Sequence, residues 1–481
     1  MRVGAFEQRA ANRSVCEYTH RLEPQLFSRL AEAHNFVVTP GEFANSICDR
    51  LQSAGYQALL VGGCVRDLLL GREPADYDVA TDAKPDQVLQ LFPNGVTVGA
   101  QFGVILVPQD GWKVEVATFR SDIGYADGRH PDRVAFSGSP EEDVKRRDFT
   151  INGLLLRHNR GEVLDFVGGQ DDLHAGVIRA IGEADRRFAE DKLRMLRAVR
   201  FAARFGYEIE AETLRAIRRH AKEISQVSAE RIREELTKML TEGAARKAFE
   251  LLDTSGLLAE LLPEITALRG VEQPPQYHPE GDVWIHTMMM LGGLPAGCSP
   301  TLAWGVLLHD VGKPATFRSA KETGDRIRFD GHVEVGMAIA RKRLGKLRFS
   351  NQDTEQILAL VEHHMRFKDA GRMRPATLKR FVRLPRFDEH LDLHRLDCLS
   401  SNRNLGAYEF VKEFVSKTPA ELVRPPKLLT GTDLLEAGFA PGPLLGKILA
   451  MVEEAQLNGE LETSLEAKSF VESHFGTDKK D

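Results

Sequence analysis

The stretch GGCVRDLLLGREPADYDVAT, Gly62 to Thr81, decides the fold. The apolar run Ala58-Leu59-Leu60-Val61 before it reads as a buried strand that delivers the chain into a double glycine. A short helix beginning near Val65 follows, then two aspartates one residue apart. Gly62 and Gly63 let the backbone approach a polyphosphate, the helix aims free N–H groups at that anion, and Arg66 adds a cation. In an extended segment Asp76 and Asp78 share one side, because side chains alternate with period two. Carboxylates so placed suit two Mg²⁺ ions about 3.5 to 4 Å apart, which would activate an attacking hydroxyl and stabilise a departing pyrophosphate. Glu115 is the candidate third ligand, since in KVEVATF it alternates with apolar Val114 and Val116.

Outward from this stretch, Phe43, Ile47 and Leu51 give a helical pattern that ends at Gly55, and β-like runs stand at Gly103–Val107 and Lys113–Phe119. With a helix-like stretch after Pro85 they make a mixed α/β unit ending near Gly182. Beyond Phe188 the chain reads as mostly helical, broken by Gln273-Pro274-Pro275 and Arg424-Pro425-Pro426. The fold class is therefore multidomain α+β.

A length of 481 residues implies two to four domains. Hydrophobic residues at 42% and charged residues at 28% are those of a soluble globular protein, and no apolar run approaches the roughly 20 residues of a membrane span. The first twenty residues hold no signal-peptide core, so the expected compartment is the cytoplasm and no membrane partner is expected. Cys16, Cys48, Cys64, Cys298 and Cys398 are odd in number and never form CxxC, which argues against a disulfide framework or a thiolate zinc site. The net charge of −6 hides two basic segments: Arg186 to Lys238 carries fourteen Lys or Arg against nine Asp or Glu, and Arg366 to Arg383 seven against one. Either could follow an RNA backbone.

Three further stretches stand in order after the first: KRRDFTINGLLL (Lys145 to Leu156), AEDKLRMLRAVRFAARFGY (Ala189 to Tyr207) and SAERIREEL (Ser228 to Leu236). Together the four resemble the nucleotidyltransferase superfamily that includes DNA polymerase β, and more narrowly the bacterial class II tRNA nucleotidyltransferase and poly(A) polymerase family. The resemblance spans about residues 46 to 270; Cys64 departs from it, standing where the family commonly has Gly, Ala or Ser. It implies a polymerase β-like head, CTP and ATP as substrates, tRNA as acceptor, and nucleotide contacts from Arg147, Asp148 and Asn152 and from Asp191, Arg194 and Arg197. Asp148 is suited to accept from a ribose 2′-hydroxyl. Asp191 and Arg194, three apart, are expected on one helix face. Arg donates and ionised Asp accepts, so the pair fits the ring-nitrogen acceptor and exocyclic amine of cytosine and adenine and mismatches uracil and guanine. Arg200 and Arg204 continue a basic stripe along that helix. The polar stretch Tyr125 to Asp132 reads as a loop, which in the family helps switch from C to A addition.

In the helical half, His286, His309-Asp310, His332, His363-His364 and Asp397 appear in order. Imidazole and carboxylate suit a divalent transition metal. With LLHDVGKP intact, the set resembles the HD superfamily of metal-dependent phosphohydrolases, which implies a second metal chemistry on cyclic or terminal phosphate esters. The resulting division is an extension (1–41), a nucleotidyltransferase head (42–182), a nucleotide-selecting and RNA-binding neck (183–270), an HD unit (271–415) and a helical tail (416–481).

The leading expectation is addition of C, C and A to tRNA. A poly(A) polymerase is the nearest rival, disfavoured because Val98 to Gly103 lacks the basic GRRF-like stretch of such enzymes and the last five residues are nearly balanced in charge. An enzyme adding only CC or only A, and an HD phosphohydrolase with a degenerate head, remain alternatives. The sequence carries no signal for oligomeric state.

Overall fold

The computed structural model describes residues 39–98, 103–109, 111–123 and 133–476. Nearly all of the extension, the loop Tyr125 to Asp132, most of the Val98 to Gly103 stretch and the last five residues lie outside the described residues. Thr39 opens the first helix, Pro40–Ser53, through a capping box with Glu42, and Pro40 fills its first turn. Phe43, Ile47 and Leu51 form its buried stripe, as their spacing predicts.

The head sheet runs β1 (Ala58–Val61), β2 (Asp78–Thr81), β3 (Val96–Thr97), β4 (Val104–Gln109), β5 (Trp112–Thr118), β8 (Leu154–Arg157) and β9 (Glu162–Asp165), in the order β3-β4-β5-β2-β1-β8-β9. A separate hairpin pairs β6 (Arg120–Ile123) with β7 (Arg133–Phe136). Every residue of β1 is buried because the strand is interior to the sheet and covered on both faces. β2 runs antiparallel to β1 and parallel to β5, and that parallel register sets Asp78 beside Glu115. Two details differ from expectation. The helix after the double glycine, Gly63–Leu69, begins two residues before Val65, and β2 starts only at Asp78, leaving Asp76 in a bend before the strand.

Past Gly182 the chain is helical apart from short two-residue pairings. The helix Ala184–Glu190 stops at Asp191, whose φ of −147° and ψ of 105° are extended, and a second helix, Leu193–Phe205, starts afresh. Asp191 and Arg194 thus do not share a helix face; Asp191 stands in the break and Arg194 in the first turn beyond it. One continuous apolar core joins the head to the helices that follow, from Phe43 to Leu396. The tail has its own core around Leu434, Phe439, Ile448 and Val452.

Polar contacts seat the tail. Arg383 pairs with Glu453 at 2.7 Å, Arg380 pairs with Glu454, and Lys379 Nζ donates to the Leu457 carbonyl at 2.8 Å. The basic segment Arg366 to Arg383 therefore spends three of its seven cations on the chain itself. No helix among the described residues is long and apolar enough to cross a membrane.

Candidate active site and metal centre

A cleft of about 670 Å³ opens where head meets neck. Asp76 and Asp78 line it, with Gly62, Gly63, Arg66, Arg147, Asp148, Asn152, Asp191, Arg194 and Arg197. Gly62 adopts a φ of +78°, and a Cβ there would meet the Arg147 guanidinium at 3.1 Å, so glycine is required both for the turn and for that approach. Burial first, then the neighbouring Glu115 and Asp76 carboxylates, push Asp78 up to about 6, against the opposing pull of Arg147. Glu115 is exposed at the sheet face. The three head carboxylates do not converge within 4.8 Å; the groups of the described residues that do so lie in the HD half.

The cations of the cleft are already engaged. Arg66 is buried, donates to Asp67 at 2.8 Å and to Asn152 at 2.6 Å, and lies over the Phe205 ring, so it does not stand free for phosphate. Asp148 accepts from Arg197 at 2.8 Å, from Asn152 at 3.0 Å and from the Phe149 amide at 2.8 Å. Burial alone would raise its pKa, but Arg197 and Asn152 outweigh it and hold it at about 2. Arg197 thus ties the second motif to the neck helix. Arg147 and Arg146 both pair with buried Asp143, at 2.9 and 2.6 Å.

The candidate base readers are held by different partners. Asp191 accepts from the Leu193 amide at 3.0 Å and from both terminal nitrogens of Arg231, at 3.2 and 2.8 Å. Arg194 donates to Glu190 at 2.9 Å and to the carbonyls of Arg187 and Arg146. Arg200, half of the expected basic stripe, is buried and paired with Glu235 at 2.7 Å, so it is a structural ion pair rather than a cationic face. Arg204 lines the cleft and faces Glu242 at 3.8 Å. Arg231 was missed because motif spacing gives no hint that a residue forty positions away closes on Asp191, and Glu190 because spacing does not show that it, four residues before Arg194, is that arginine's partner.

In the HD half, Asp310 sits at the centre of four imidazoles. His309 Nε2 is 3.0 Å from Asp310 Oδ2, while His364 and His332 Nε2 stand 3.8 and 3.9 Å from Asp310 Oδ1. His286 Nε2 faces Asp397 Oδ1 at 3.2 Å. Lys313 Nζ bonds both Asp310 and Gln273 at 2.7 Å. The His286, His309 and Asp310 ligand atoms converge, as do those of Asp310, His332 and His364. Of the expected set, Asp397 and His363 lie outside both groups: Asp397 reaches the cluster through His286, and His363 faces His390 with ring centroids 5.9 Å apart. It is the last residue of the helix Asn351–His363, one step of about 100° round from His364, so only one of the two can face the cluster. Sequence reasoning missed Glu280, which bonds His286.

Whether the residues fit a metal is tested by their unsatisfied atoms. His286 Nε2 and His309 Nε2 make no well-aligned hydrogen bond, standing 3.2 and 3.0 Å from the Asp397 and Asp310 carboxylates, and Asp310 Oδ1 is buried 3.8 and 3.9 Å from two imidazoles, a packing of donor atoms that a metal among them would satisfy. Burial and the neighbouring imidazoles keep His364 at about 4 despite Asp310, so it is neutral and able to ligate at neutral pH.

A mixed sheet carrying paired aspartates beside a helical neck, over a cleft lined with arginines, defines the class: a nucleotidyltransferase. The chain matches the Poly A polymerase head domain over residues 58–179, the probable RNA and SrmB-binding site of polymerase A over 206–268, and the HD domain over 283–400. A CCA-adding enzyme of Latilactobacillus sakei subsp. sakei (strain 23K) is 34% identical over 435 residues, 89% of this chain and 96% of that protein. The chain belongs to the CCA-adding enzyme family. A CCA-adding enzyme of Leuconostoc mesenteroides is 47% identical over 214 residues, 44% of this chain, and the match spans only 53% of that relative. The crystal structure of the Bacillus stearothermophilus CCA-adding enzyme in complex with CTP aligns at a TM-score of 0.67 and 28% identity, over 91% of this chain and 98% of that one. A Thermotoga maritima CCA-adding enzyme complexed with tRNA, 20% identical at a TM-score of 0.56, shares the fold.

Proposed function

We propose that this chain adds C, C and A to the 3′ end of tRNA from CTP and ATP, with release of pyrophosphate. The observation that carries the reading is the convergence of Asp76 and Asp78, Arg147 and Asp148, and Asp191 and Arg194 on one cleft from three segments far apart in sequence. Asp76, Asp78 and Glu115 would hold two Mg²⁺ ions, which when bound supply an activated 3′-hydroxyl and charge stabilisation at phosphorus. Arg147, held close to Gly62 by Asp143, brings positive charge to the phosphate end.

Base choice follows from the hydrogen-bond capacity left over. Asp191 has given Oδ1 to Leu193 and Arg231 and one Oδ2 lone pair to Arg231, which leaves a lone pair on Oδ2. Arg194 retains its Nε–H and one hydrogen on Nη2. One acceptor and adjacent donors match the amine and ring nitrogen of cytosine or adenine, whereas uracil or guanine would leave groups unpaired at about 1 to 3 kcal/mol each.

A second activity, hydrolysis of phosphate esters, would need a metal at the HD centre, for which the converging His286, His309 and Asp310 ligand atoms are suited. The deciding assay gives transcripts ending before CCA, after C, after CC and after CCA to the enzyme with CTP, ATP or both. Growth that halts after CCA is the expected result. An unlimited A tail, or no addition of C, would overturn the reading in favour of a poly(A) polymerase or an A-adding enzyme.

A further inference from the structure

We propose that Glu280 is a positioning residue that makes the two halves of the HD centre unequal, so that the position defined by His286, His309, Asp310 and Asp397 takes a divalent metal more tightly than the position defined by Asp310, His332 and His364. The proposal rests on the reading of this cluster as a metal centre. Three of the four imidazoles are aimed in the same way. His309, His332 and His364 each direct Nδ1 to a backbone carbonyl three residues earlier, those of Val306, Phe329 and Val361, at 2.8, 2.9 and 2.7 Å. That bond fixes the proton on Nδ1 and leaves Nε2 as the donor to a metal.

His286 has a different anchor. It lies in the first turn of the helix Val283–Gly292, and the carbonyl three residues before it, that of Val283, receives the Thr287 hydroxyl at 2.8 Å. Glu280 Oε1 takes the place of a carbonyl and stands 2.7 Å from His286 Nδ1. The same oxygen meets His278 Nδ1 at 2.9 Å, and the His278 ring packs edge-on against His286 with centroids 5.1 Å apart.

The turn that presents Glu280 is built rigidly. Gly281 takes a φ of +128°, and Asp282 caps the helix at Ile285 N while also bonding Gly270 N. The Glu280 side chain is only 4% exposed. A carboxylate is a stronger acceptor than a peptide carbonyl and raises the electron density on the opposite ring nitrogen, so His286 is the most basic ligand of the four once a metal displaces its proton. Asp397, 3.2 Å from His286 Nε2, adds a second carboxylate on this side that the His332 and His364 side lacks.

The test titrates metal-stripped full-length protein with Co²⁺, whose ligand-field bands report imidazole coordination, and follows transfer and melting in parallel. Wild type should load in two steps. Glu280→Gln should weaken the first step about 10- to 100-fold and leave the second step and transfer activity nearly unchanged. An unchanged first step in Glu280→Gln would overturn the proposal. Equal weakening of both steps with a lower melting temperature would overturn it too, since that is the mark of a merely structural role. Should Glu280→Gln not accumulate, Glu280→Asp is titrated against the same criteria. Absence of imidazole bands in wild type, or their persistence in His309→Ala, would instead sink the metal reading beneath it.

Discussion

The head cleft and the HD centre handle charge in opposite ways. In the cleft the arginines and carboxylates that surround the paired aspartates have their partners before any substrate arrives: Asp148 with Arg197, Asp191 with Arg231, Arg194 with Glu190, Arg66 with Asn152. In the HD centre the decisive atoms, His286 Nε2, His309 Nε2 and Asp310 Oδ1, are buried beside carboxylates and imidazoles without a well-aligned hydrogen bond. A cleft that must read two different bases gains from side chains locked in place by fixed partners, since preorganised groups cost nothing to order on binding. A centre that must capture an ion needs bare lone pairs held together by bonds on their far sides.

The comparison breaks hardest at the paired aspartates. Asp76→Ala should cut nucleotide addition about 10³-fold or more, an effect of ~4 kcal/mol, while Co²⁺ binding at the HD centre is unaffected. Loss of both properties, read by primer extension and by titration, would mean that the two regions are one functional unit. Next in size is the buried pair beneath the cleft. Glu235→Ala strands Arg200 and should destabilise the protein by about 3 kcal/mol, measured by denaturant unfolding, whereas removing exposed Glu212 should change little.

A smaller effect sharpens the claim that fixed partners set base choice. Arg231→Ala frees Asp191 and should lower discrimination of C and A over U and G by about 10-fold, with less effect on the rate for CTP, as competition assays with mixed nucleotides would show. Unaltered discrimination would remove Arg231 from the selector.

The two regions should also answer pH differently. Burial lowers the His286 pKa, but Asp397 and Glu280 prevail and raise it to about 9 in the metal-free protein. Its folded value lies above its unfolded value of about 6.5, so the stability it contributes is present below that pH and is lost as pH rises through about 9. Melting of the chelated protein should fall on the order of 1 kcal/mol over that window, and His286→Ala should abolish the dependence. Asp78 gives the same sense of pH dependence over a lower window, since stability falls as pH rises from about 4 to about 6. Its folded pKa of about 6 lies above the ordinary carboxylate value, so its ionised form destabilises the fold at neutral pH. Asp78→Asn should therefore melt slightly higher than wild type at pH 7 even though transfer is lost.

Much of the head was legible because its signals are local. A buried strand, a double glycine and DxD are neighbours in sequence, and their conformations follow from backbone rules that hold within a few residues. The register of Glu115 beside Asp78 was reached only by alternation along one strand, which says which face a side chain takes but not which strand lies next to it. The expectation for Asp191 and Arg194 failed because helical spacing assumes an unbroken helix, and the break at Asp191 leaves no local mark. The pair His363-His364 could not be divided by sequence, because the helix end that turns one toward Asp310 and the other toward His390 is set by packing.

The sequence by itself determined the residue types: acceptors at 76 and 78, a donor at 194, imidazoles in the helical half. Chemistry of that kind resides in each side chain and survives any arrangement. Only the tertiary structure decided which charges are neutralised and which remain bare, binding Arg200 to Glu235 and the basic segment before Arg383 to the tail while leaving His309 Nε2 without a well-aligned hydrogen bond. The physical reason is that pairing depends on distances of about 3 Å between segments tens of residues apart, and those distances exist only once the chain has folded.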